Sequence, residues 1–286
     1  MSVESPRVSR LEPYLNRAEP APTLLKMLVG VQLAGIREDA GLSQDQAARA
    51  VGFSPAKLSL YETDDHEASV LIRLLRQAGE PGWWQRYDKR LMPEWFDRLV
   101  GLQEAATAIR TFEIQYVPGL LQTPAYARAV VERGLPSATS REVERRVELR
   151  TRRTELLRRP DAPRVWAVLD ESVLLRVLGG QDVMREQLAH LVELAGLPHV
   201  TVQVVPLDVT HASAPAIPVT YLRFGGVDLP DVVYLEQIRS ATFLEDRDET
   251  EEYRVALDRL ADEALDPRAS MALLKETAER RYAAAP

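Results

Sequence analysis

The sequence predicts an N-terminal all-α domain of five helices, followed by a larger α+β domain in which helices surround one small sheet. Three observations support this fold class. Residues 24–78 consist of short segments of helical period separated by turn signals. Beyond residue 97, helical segments are mixed with short strands rich in β-branched residues. A chain of 286 residues is long enough for a small and a medium domain that each bury a core.

Composition divides the chain into four regions. Residues 1–22 scatter prolines among charges and predict a flexible arm. The helical domain is predicted at 23–79. Residues 80–96 contain Gly, Pro and a Trp pair and predict an aromatic connector, which separates the helical domain from the α+β domain at 97–286.

Periodicity places the elements of the second domain. Strands are predicted at 111–117, 164–170, 200–207, 217–224 and 231–237. Helices are predicted at 95–109, 124–133, 140–158, 171–178, 181–195, 246–264 and 268–282. Because the strands are bounded by Pro, Gly or Asp and interrupted by helices, we expect one sheet.

Several classes of protein are disfavoured by composition and motifs. No apolar run approaches the roughly 18 residues of a membrane span, and the N-terminus lacks the apolar core of a signal peptide. The chain has no cysteine, and its histidines lack metal-binding spacing, so we expect a cytoplasmic protein without a metal site. The Walker, dinucleotide-binding, nucleophile-elbow and zinc-protease motifs are missing, which predicts a protein that is not an enzyme and has no cofactor.

The stretch GLSQDQAARAVGFSPAKLSLYET, residues 41–63, has the layout of two helices joined by a tight turn. Ser43 can cap the first helix by accepting a hydrogen bond from a free N–H of its first turn. Gly52 suits the turn. Ser54 can cap the second helix, and Pro55 then occupies the first helical position, where its missing N–H costs nothing. This arrangement is a helix-turn-helix.

On these residues, the segment 28–78 resembles the Cro/C1-type, or XRE, helix-turn-helix domain. The resemblance implies binding of double-stranded DNA and a structural ion pair between Arg37 and Glu62. It also implies that Gln44 meets a phosphate or a base edge. The DNA-contacting positions that it implies are Gln44, Ser54, Pro55, Ala56, Lys57 and Leu60.

The second domain resembles the C-terminal domain of actinobacterial XRE regulators of the WhiJ type. The matching stretches are IRTFEIQYVPGLLQTPAYARAVV (109–131), DESVLLRVLGGQDVMREQLAHL (170–191), VTVQVVP (200–206) and VVYLE (232–236). The resemblance implies a domain that senses a signal or binds a partner, either a small partner protein or a small-molecule ligand. By analogy with such regulators we expect a homodimer held by this domain.

The charge and the side chains of the first domain support DNA binding less strongly than the family resemblance does. Residues 28–79 contain five basic and seven acidic residues, which gives a net charge of −2. Ala56 and Leu60 lack the hydrogen-bonding forks that read bases in the major groove. The alternative is a protein-binding module, antitoxin-like or an anti-regulator, with weakened or lost DNA readout. A third alternative, an enzymatic activity in the second domain, has no motif in its favour.

Two further features attract interest. Residues 140–159 contain eight Arg and four Glu, with Glu142/Arg146 and Glu148/Arg152 at helical i,i+4 spacing. This pattern favours a solvated, salt-bridged helix, with a contact to the DNA backbone or an acidic partner as the alternative. His211, in a loop between two strands, and Glu236, at a strand end, are the candidate ligand or partner site.

Overall fold

The computed structural model describes residues 22–39, 41, 43, 81–208, 214–225 and 229–283. The chain divides into two compact units. The first comprises Met1–Asp88, Asp97–Ala105 and Gly225–Leu229, and the second comprises Lys89–Phe96, Ala106–Phe224 and Pro230–Pro286. Except for Pro22, the predicted N-terminal arm lies outside the described residues.

The described part of the first unit begins with helix α1, Pro22–Asp39. Leu25, Leu28 and Val29 are buried, at the i, i+3 and i+4 positions that form one face of a helix. A 3₁₀ turn covers Trp83–Arg86. Helix α2, Glu94–Ala105, follows, and its last turns belong to this unit.

Trp83 and Trp84 of the predicted connector are held by contacts inside the first unit. Trp84 is buried, and Trp83 stands edge-on to it with 5.9 Å between ring centroids. The indole Nε1 of Trp83 donates a hydrogen bond of 2.8 Å to Glu104 Oε1. These contacts attach the 3₁₀ turn to α2. The Trp83 indole has a structural role in packing the first unit.

Gly82 is the residue that lets the Trp84 ring lie against the backbone. A Cβ on Gly82 would overlap the indole ring. We expect Gly82→Ala to lower the free energy of unfolding of the first unit by about 1–3 kcal/mol, since the ring has to leave its buried position. Urea denaturation followed by tryptophan fluorescence measures this loss.

Gly30→Ala is the matched control for that substitution. Gly30 is exposed in α1, and a Cβ there meets nothing within 4 Å. Because Ala favours a helix over Gly by up to about 1 kcal/mol, this variant is expected to be as stable as the original chain or more stable. Equal stability of Gly82→Ala and the original chain would contradict the assigned role of Gly82.

The second unit is built on a sheet with helices on its faces. Its described strands are β1 Ala108–Glu113, β2 Arg164–Asp170, β3 Val200–Val205, β4 Val219–Arg223, β5 Val232–Glu236 and β6 Ala241–Leu244. Its helices after α2 are α3 Pro124–Gly134, α4 Ser140–Arg153, α5 Ser172–Leu175, α6 Gln181–Leu194, α7 Arg247–Glu263 and α8 Pro267–Arg280. Short 3₁₀ turns cover Gly119–Leu121 and Thr154–Arg158.

The described strands form one mixed six-stranded sheet in the order β3-β2-β1-β4-β5-β6. Strands β1, β2 and β3 are parallel, and β4, β5 and β6 follow in antiparallel pairs. The parallel strands are joined by helical crossovers, which cover the sheet and explain why β2 and β3 are mostly apolar.

Each sheet face has its own packing. One face forms a core with α7, in which Phe112, Tyr221 and Val233 pack with Leu257 and Leu260. Helices α3 and α4 pack on each other through a separate apolar cluster. Because side chains alternate along a strand, the residues between these core positions project from the other face of the sheet.

Most predicted elements are present with shifted ends, and three predictions need correction. The helix predicted to reach residue 109 ends at Ala105, and the strand predicted at 111–117 is Ala108–Glu113. The helix predicted at 171–178 is the single turn Ser172–Leu175, since Gly179 and Gly180 follow in a left-handed backbone conformation. The sheet also contains β6, which was not predicted and which makes the sheet larger than expected.

Candidate functional site

Four strands have their carboxyl ends on the same side of the sheet, at the end where β1 finishes. Strands β1, β2 and β3 run in the same direction, and β5 shares it because β4 is antiparallel to both β1 and β5. The chain proceeds from β1 outward to β3 and then returns to the opposite side of β1 with β4. Such a switch point, at the carboxyl ends of strands, is where open α/β sheets bind ligands.

The strand register places two carboxylates at this edge on the same level. Thr111 is paired with Thr220, and Thr220 is paired with Tyr234. Two residues further along, Glu113 ends β1 and Glu236 ends β5. Two strand spacings separate them, or about 10 Å between backbones, and alternation puts both side chains on the same face of the sheet.

Tyr234 lies on that face as well. Its hydroxyl donates a hydrogen bond of 2.9 Å to Glu236 Oε2, and its ring packs 5.2 Å from the ring of Phe243. The tyrosine is buried, whereas the Glu236 carboxylate at the strand end is exposed. The phenol therefore holds the carboxylate at the rim of the sheet.

Helix α4 contributes two arginines to the same region. Arg150 and Arg153 are three residues apart and so share one face of the helix. Arg153 is 5 % exposed, and its guanidinium carbon lies 5.0 Å from the ring centroid of Phe96. Gly119 leaves room for it, because a Cβ there would stand 3.2 Å from Arg153 Nη1.

The segment after β1 is fixed by side chains. The Val117 N–H donates to the Tyr126 hydroxyl at 3.2 Å, and Gln122 Nε2 donates to the Val117 carbonyl at 2.8 Å. Burial raises the pKa of Tyr126 to about 12, so this hydroxyl stays protonated at neutral pH. These bonds hold the backbone between Glu113 and Gly119 in place.

The electrostatics of the region are unusual. Burial raises the pKa of Glu113 to about 8, repulsion from Glu236 adds to this rise, and Arg150 opposes it. Burial lowers the pKa of Arg150, although Glu236, Tyr234 and Glu113 favour its charged form. Burial, followed by the charge of Glu236, raises the pKa of Tyr234 far above its ordinary value. We call Glu113, Arg150, Arg153, Tyr234 and Glu236 the Glu113 cluster.

Two members of the Glu113 cluster have incomplete hydrogen bonding. Within the part of the chain that the structure describes, neither Glu113 nor Arg150 makes a side-chain hydrogen bond, and no ion pair joins them. Both residues are of intermediate burial. The arrangement offers one group of donors and one group of acceptors to a bound molecule.

Some of the predicted site residues lie in the part of the chain that the structure describes, and the others lie outside it. Glu236 belongs to the Glu113 cluster, whereas His211 lies outside the described residues. Arg37 lies in the last turn of α1. The positions that fall outside the described residues are Gln44, Ser54, Pro55, Ala56, Lys57, Leu60 and Glu62.

Sequence reasoning missed Glu113, Arg150, Arg153 and Tyr234 as site residues. The basic stretch predicts a solvated helix, and much of its charged face is exposed, but Arg153 is buried together with the apolar residues Val143, Val147 and Leu149. Glu142 accepts hydrogen bonds from Thr139 at the start of α4, instead of serving mainly as a partner for Arg146. Arg146 donates to the carbonyls of Arg90 and Leu91 at 3.0 and 3.2 Å.

Comparison with known protein families places the Glu113 cluster in a recognised domain. Residues 96–276, more than half of the 286-residue chain, match the family described as a domain of unknown function, DUF5753. The chain belongs to the DUF5753 family. The DUF5753 domain contains all six described strands and every member of the Glu113 cluster.

A second match covers the first domain. Residues 28–82 match a helix-turn-helix domain, which confirms the predicted motif and indicates a DNA-binding regulator. No curated protein and no solved structure matches the chain.

Two further properties hold for the residues that the structure describes. None of the described helices is long and apolar enough to cross a membrane. In the same residues, no three or more His, Asp or Glu side chains converge in a way that could hold a metal ion.

Proposed function

We propose that this DUF5753 protein is a homodimeric transcription regulator of the Cro/C1 type. In this proposal residues 28–82 bind double-stranded DNA, and the DUF5753 domain holds the dimer and receives the signal. The match of residues 28–82 to a helix-turn-helix domain carries the proposal. The mechanism is regulation by binding, with no catalytic step.

DNA binding by such a domain relies on few charges. Residues 28–79 carry five basic and seven acidic side chains, so little counterion is released from DNA on binding. We propose that Gln44 and Lys57, with helix N-termini, contact the phosphates. Apolar contacts by Ala56 and Leu60 and the shape of the DNA then supply most of the sequence preference.

The signal reaches the DNA through the spacing of two heads. Dimeric helix-turn-helix proteins need half-sites about one helical turn apart, so a change in the dimer alters affinity without touching the recognition helix. A small partner protein or a ligand that binds the DUF5753 domain differently in the two states supplies the required coupling free energy. The incompletely bonded Glu113 cluster supports a receiving role for this domain.

The proposal is tested by measuring binding to the DNA upstream of the protein's own gene at about 50 and 200 mM salt. We expect sequence-selective binding whose affinity falls about 10- to 50-fold across this range, as two or three neutralised phosphates would give. A protein with six or more phosphate contacts would lose about a thousandfold or more. Fluorescence anisotropy with labelled duplexes measures the dissociation constant at each of the two salt concentrations.

Variants assign the binding to the proposed residues. Lys57→Glu and Gln44→Ala are expected to weaken binding to all duplexes, with Lys57→Glu having the larger effect because it also adds repulsion. Lys275→Glu, an equal charge change at an exposed position of the DUF5753 domain, is the control and should leave binding unchanged.

The alternative function is a protein-binding module, antitoxin-like or an anti-regulator. The acidic balance of the helix-turn-helix segment favours it. No selectivity over random DNA at about 50 mM salt would overturn the DNA-binding proposal and support this alternative.

A further inference from the structure

We propose that the Glu113 cluster binds a small zwitterion of the free amino acid class. The carboxylate of this molecule would face Arg150, and its cationic nitrogen would face Glu113 and Glu236. The regulatory consequence rests on the proposed function, whereas the binding site itself does not.

The position of the cluster is the first argument. Glu113 and Glu236 end their strands on one level, while the strand between them, β4, begins only at Val219, opposite Phe112. The two carboxylates therefore stand at the rim of the sheet, beyond the end of the β1–β4 ladder.

The hydrogen-bond inventory is the second argument. The Arg150 guanidinium has five N–H donors and finds no acceptor among the described residues. The Glu113 carboxylate finds no donor in the same part of the chain. Charged groups withdrawn from water are stabilised by hydrogen bonds to a partner of opposite charge, so one molecule with both kinds of group satisfies both side chains.

The charged neighbours of this pair do have hydrogen bonds. Arg146, one turn before Arg150 on α4, donates to two backbone carbonyls through its Nη atoms, while its buried Nε has no partner among the described residues. Glu236 accepts the Tyr234 hydroxyl. Within the Glu113 cluster, the pair that makes no side-chain hydrogen bond among the described residues is one cation from the helix, Arg150, and one carboxyl group from the sheet, Glu113.

The charge balance is the third argument. A cationic nitrogen beside Glu113 favours the charged form of its carboxyl group, which otherwise keeps its proton near pH 7. With Glu113 charged, the two carboxylates of Glu113 and Glu236 and the guanidinium groups of Arg150 and Arg153 give the cluster a formal charge of zero. A simple cation would add an uncompensated charge to a partly desolvated site, at a cost in free energy. A zwitterion adds none, and its two ends match the separated positive and negative groups.

The test uses the full-length protein and a panel of the common L-amino acids together with glycine betaine. We expect at least one of them to raise the Tm of the protein and to bind in isothermal titration calorimetry. For that compound, the decarboxylated amine and the deaminated acid are then compared. Each should bind about 10- to 100-fold more weakly, because each loses one charge-assisted interaction.

Variants locate the binding. Arg150→Met keeps an unbranched, flexible side chain but removes the guanidinium group, and it should abolish binding. Glu113→Gln should weaken binding. Arg145→Met, at an exposed position of the same helix, is the matched control and should bind as the original chain does. Circular dichroism checks that each variant is folded. The comparison of the amine and the acid with the zwitterion uses the original chain, so it tests the inference even where a variant unfolds.

Three results would overturn the inference. They are the failure of every compound in the panel to bind, retention of full affinity in a folded Arg150→Met protein, and binding of the amine or acid as tightly as the zwitterion. DNA binding is measured separately, with and without the compound. Amino acid binding without DNA binding would overturn the proposed function alone, and the reverse result would overturn this inference alone.

Discussion

Gln187→Leu is expected to lower the free energy of unfolding of the DUF5753 domain by about 2–5 kcal/mol. Gln187 lies on α6 and is completely buried. Its Oε1 accepts from the Thr123 backbone N–H at 2.8 Å, and its Nε2 donates to the Leu121 carbonyl at 2.7 Å. Leucine offers neither bond, so two backbone groups remain without partners in a region closed to water, at about 1–3 kcal/mol each.

The loss of stability is large because the two hydrogen bonds of Gln187 lie in a buried region. Leu121 and Thr123 are themselves buried, and the Thr123 hydroxyl accepts from the Tyr126 N–H to cap α3. One amide side chain thus anchors the segment that follows β1 to α6. Urea unfolding monitored by circular dichroism measures the change, and Glu186→Leu, at the exposed neighbouring position, is the control.

A second substitution at the same position separates shape from hydrogen bonding. Gln187→Glu preserves size, and its protonated carboxyl group can both donate to Leu121 and accept from Thr123. Its charged form cannot donate, so folding raises the pKa of the new carboxyl group. This variant should lose stability as the pH rises above the pKa of the unfolded chain. A stability equal to that of the original chain at every pH would contradict the role assigned to the two bonds.

Local patterns predicted much of the fold because those elements carry their own boundary signals. Strand β2 occupies residues 164–170 as predicted, since a proline precedes the β-branched run and an aspartate ends it. Helix α3 begins at the Thr-Pro pair that caps it. Strand β6, Ala241–Leu244, was missed because four partly buried residues carry no clear alternation, and their pairing with β5 supplies the stability.

The candidate site was less predictable because its residues meet through the register of the sheet. Glu236 was identified as a strand end, but nothing near it in the sequence indicates Glu113, which stands two strands away. The alternation of TFEIQYV extends past the true end of β1 and hid the fact that Glu113 is terminal. Arg150 and Arg153 have the same local sequence as their solvated neighbours, and only the packing of α4 distinguishes them.

The pH dependence of stability provides the second large effect. Glu113 has a pKa of about 8 in the folded protein, well above its ordinary value of 4.5. The folded state therefore keeps a proton that the unfolded chain releases. This contribution to stability is complete below about pH 4.5 and is lost as the pH rises through 8. We expect the original chain to lose stability across this range.

Glu113→Gln removes that dependence, because the amide stays neutral and keeps the size of the acid. As the pH rises from roughly 5 to roughly 9, the free energy of unfolding of the variant should increase by about 1–4 kcal/mol relative to that of the original chain. The upper limit is reduced because the residue is partly exposed. Urea unfolding at several pH values measures this, with the exposed Glu186→Gln as control. An identical pH profile for Glu113→Gln and the original chain would overturn the prediction.

The charged neighbours of Glu113 determine the pH at which this stability is lost. Glu236 raises the pKa of Glu113 and Arg150 lowers it. Arg150→Met should therefore move the loss of stability to higher pH, and Glu236→Gln should move it to lower pH. A cationic nitrogen bound beside Glu113 acts in the same direction as Arg150 and favours the charged carboxylate. Zwitterion binding near pH 7 should then release a proton, which calorimetry in buffers of different ionisation heat detects.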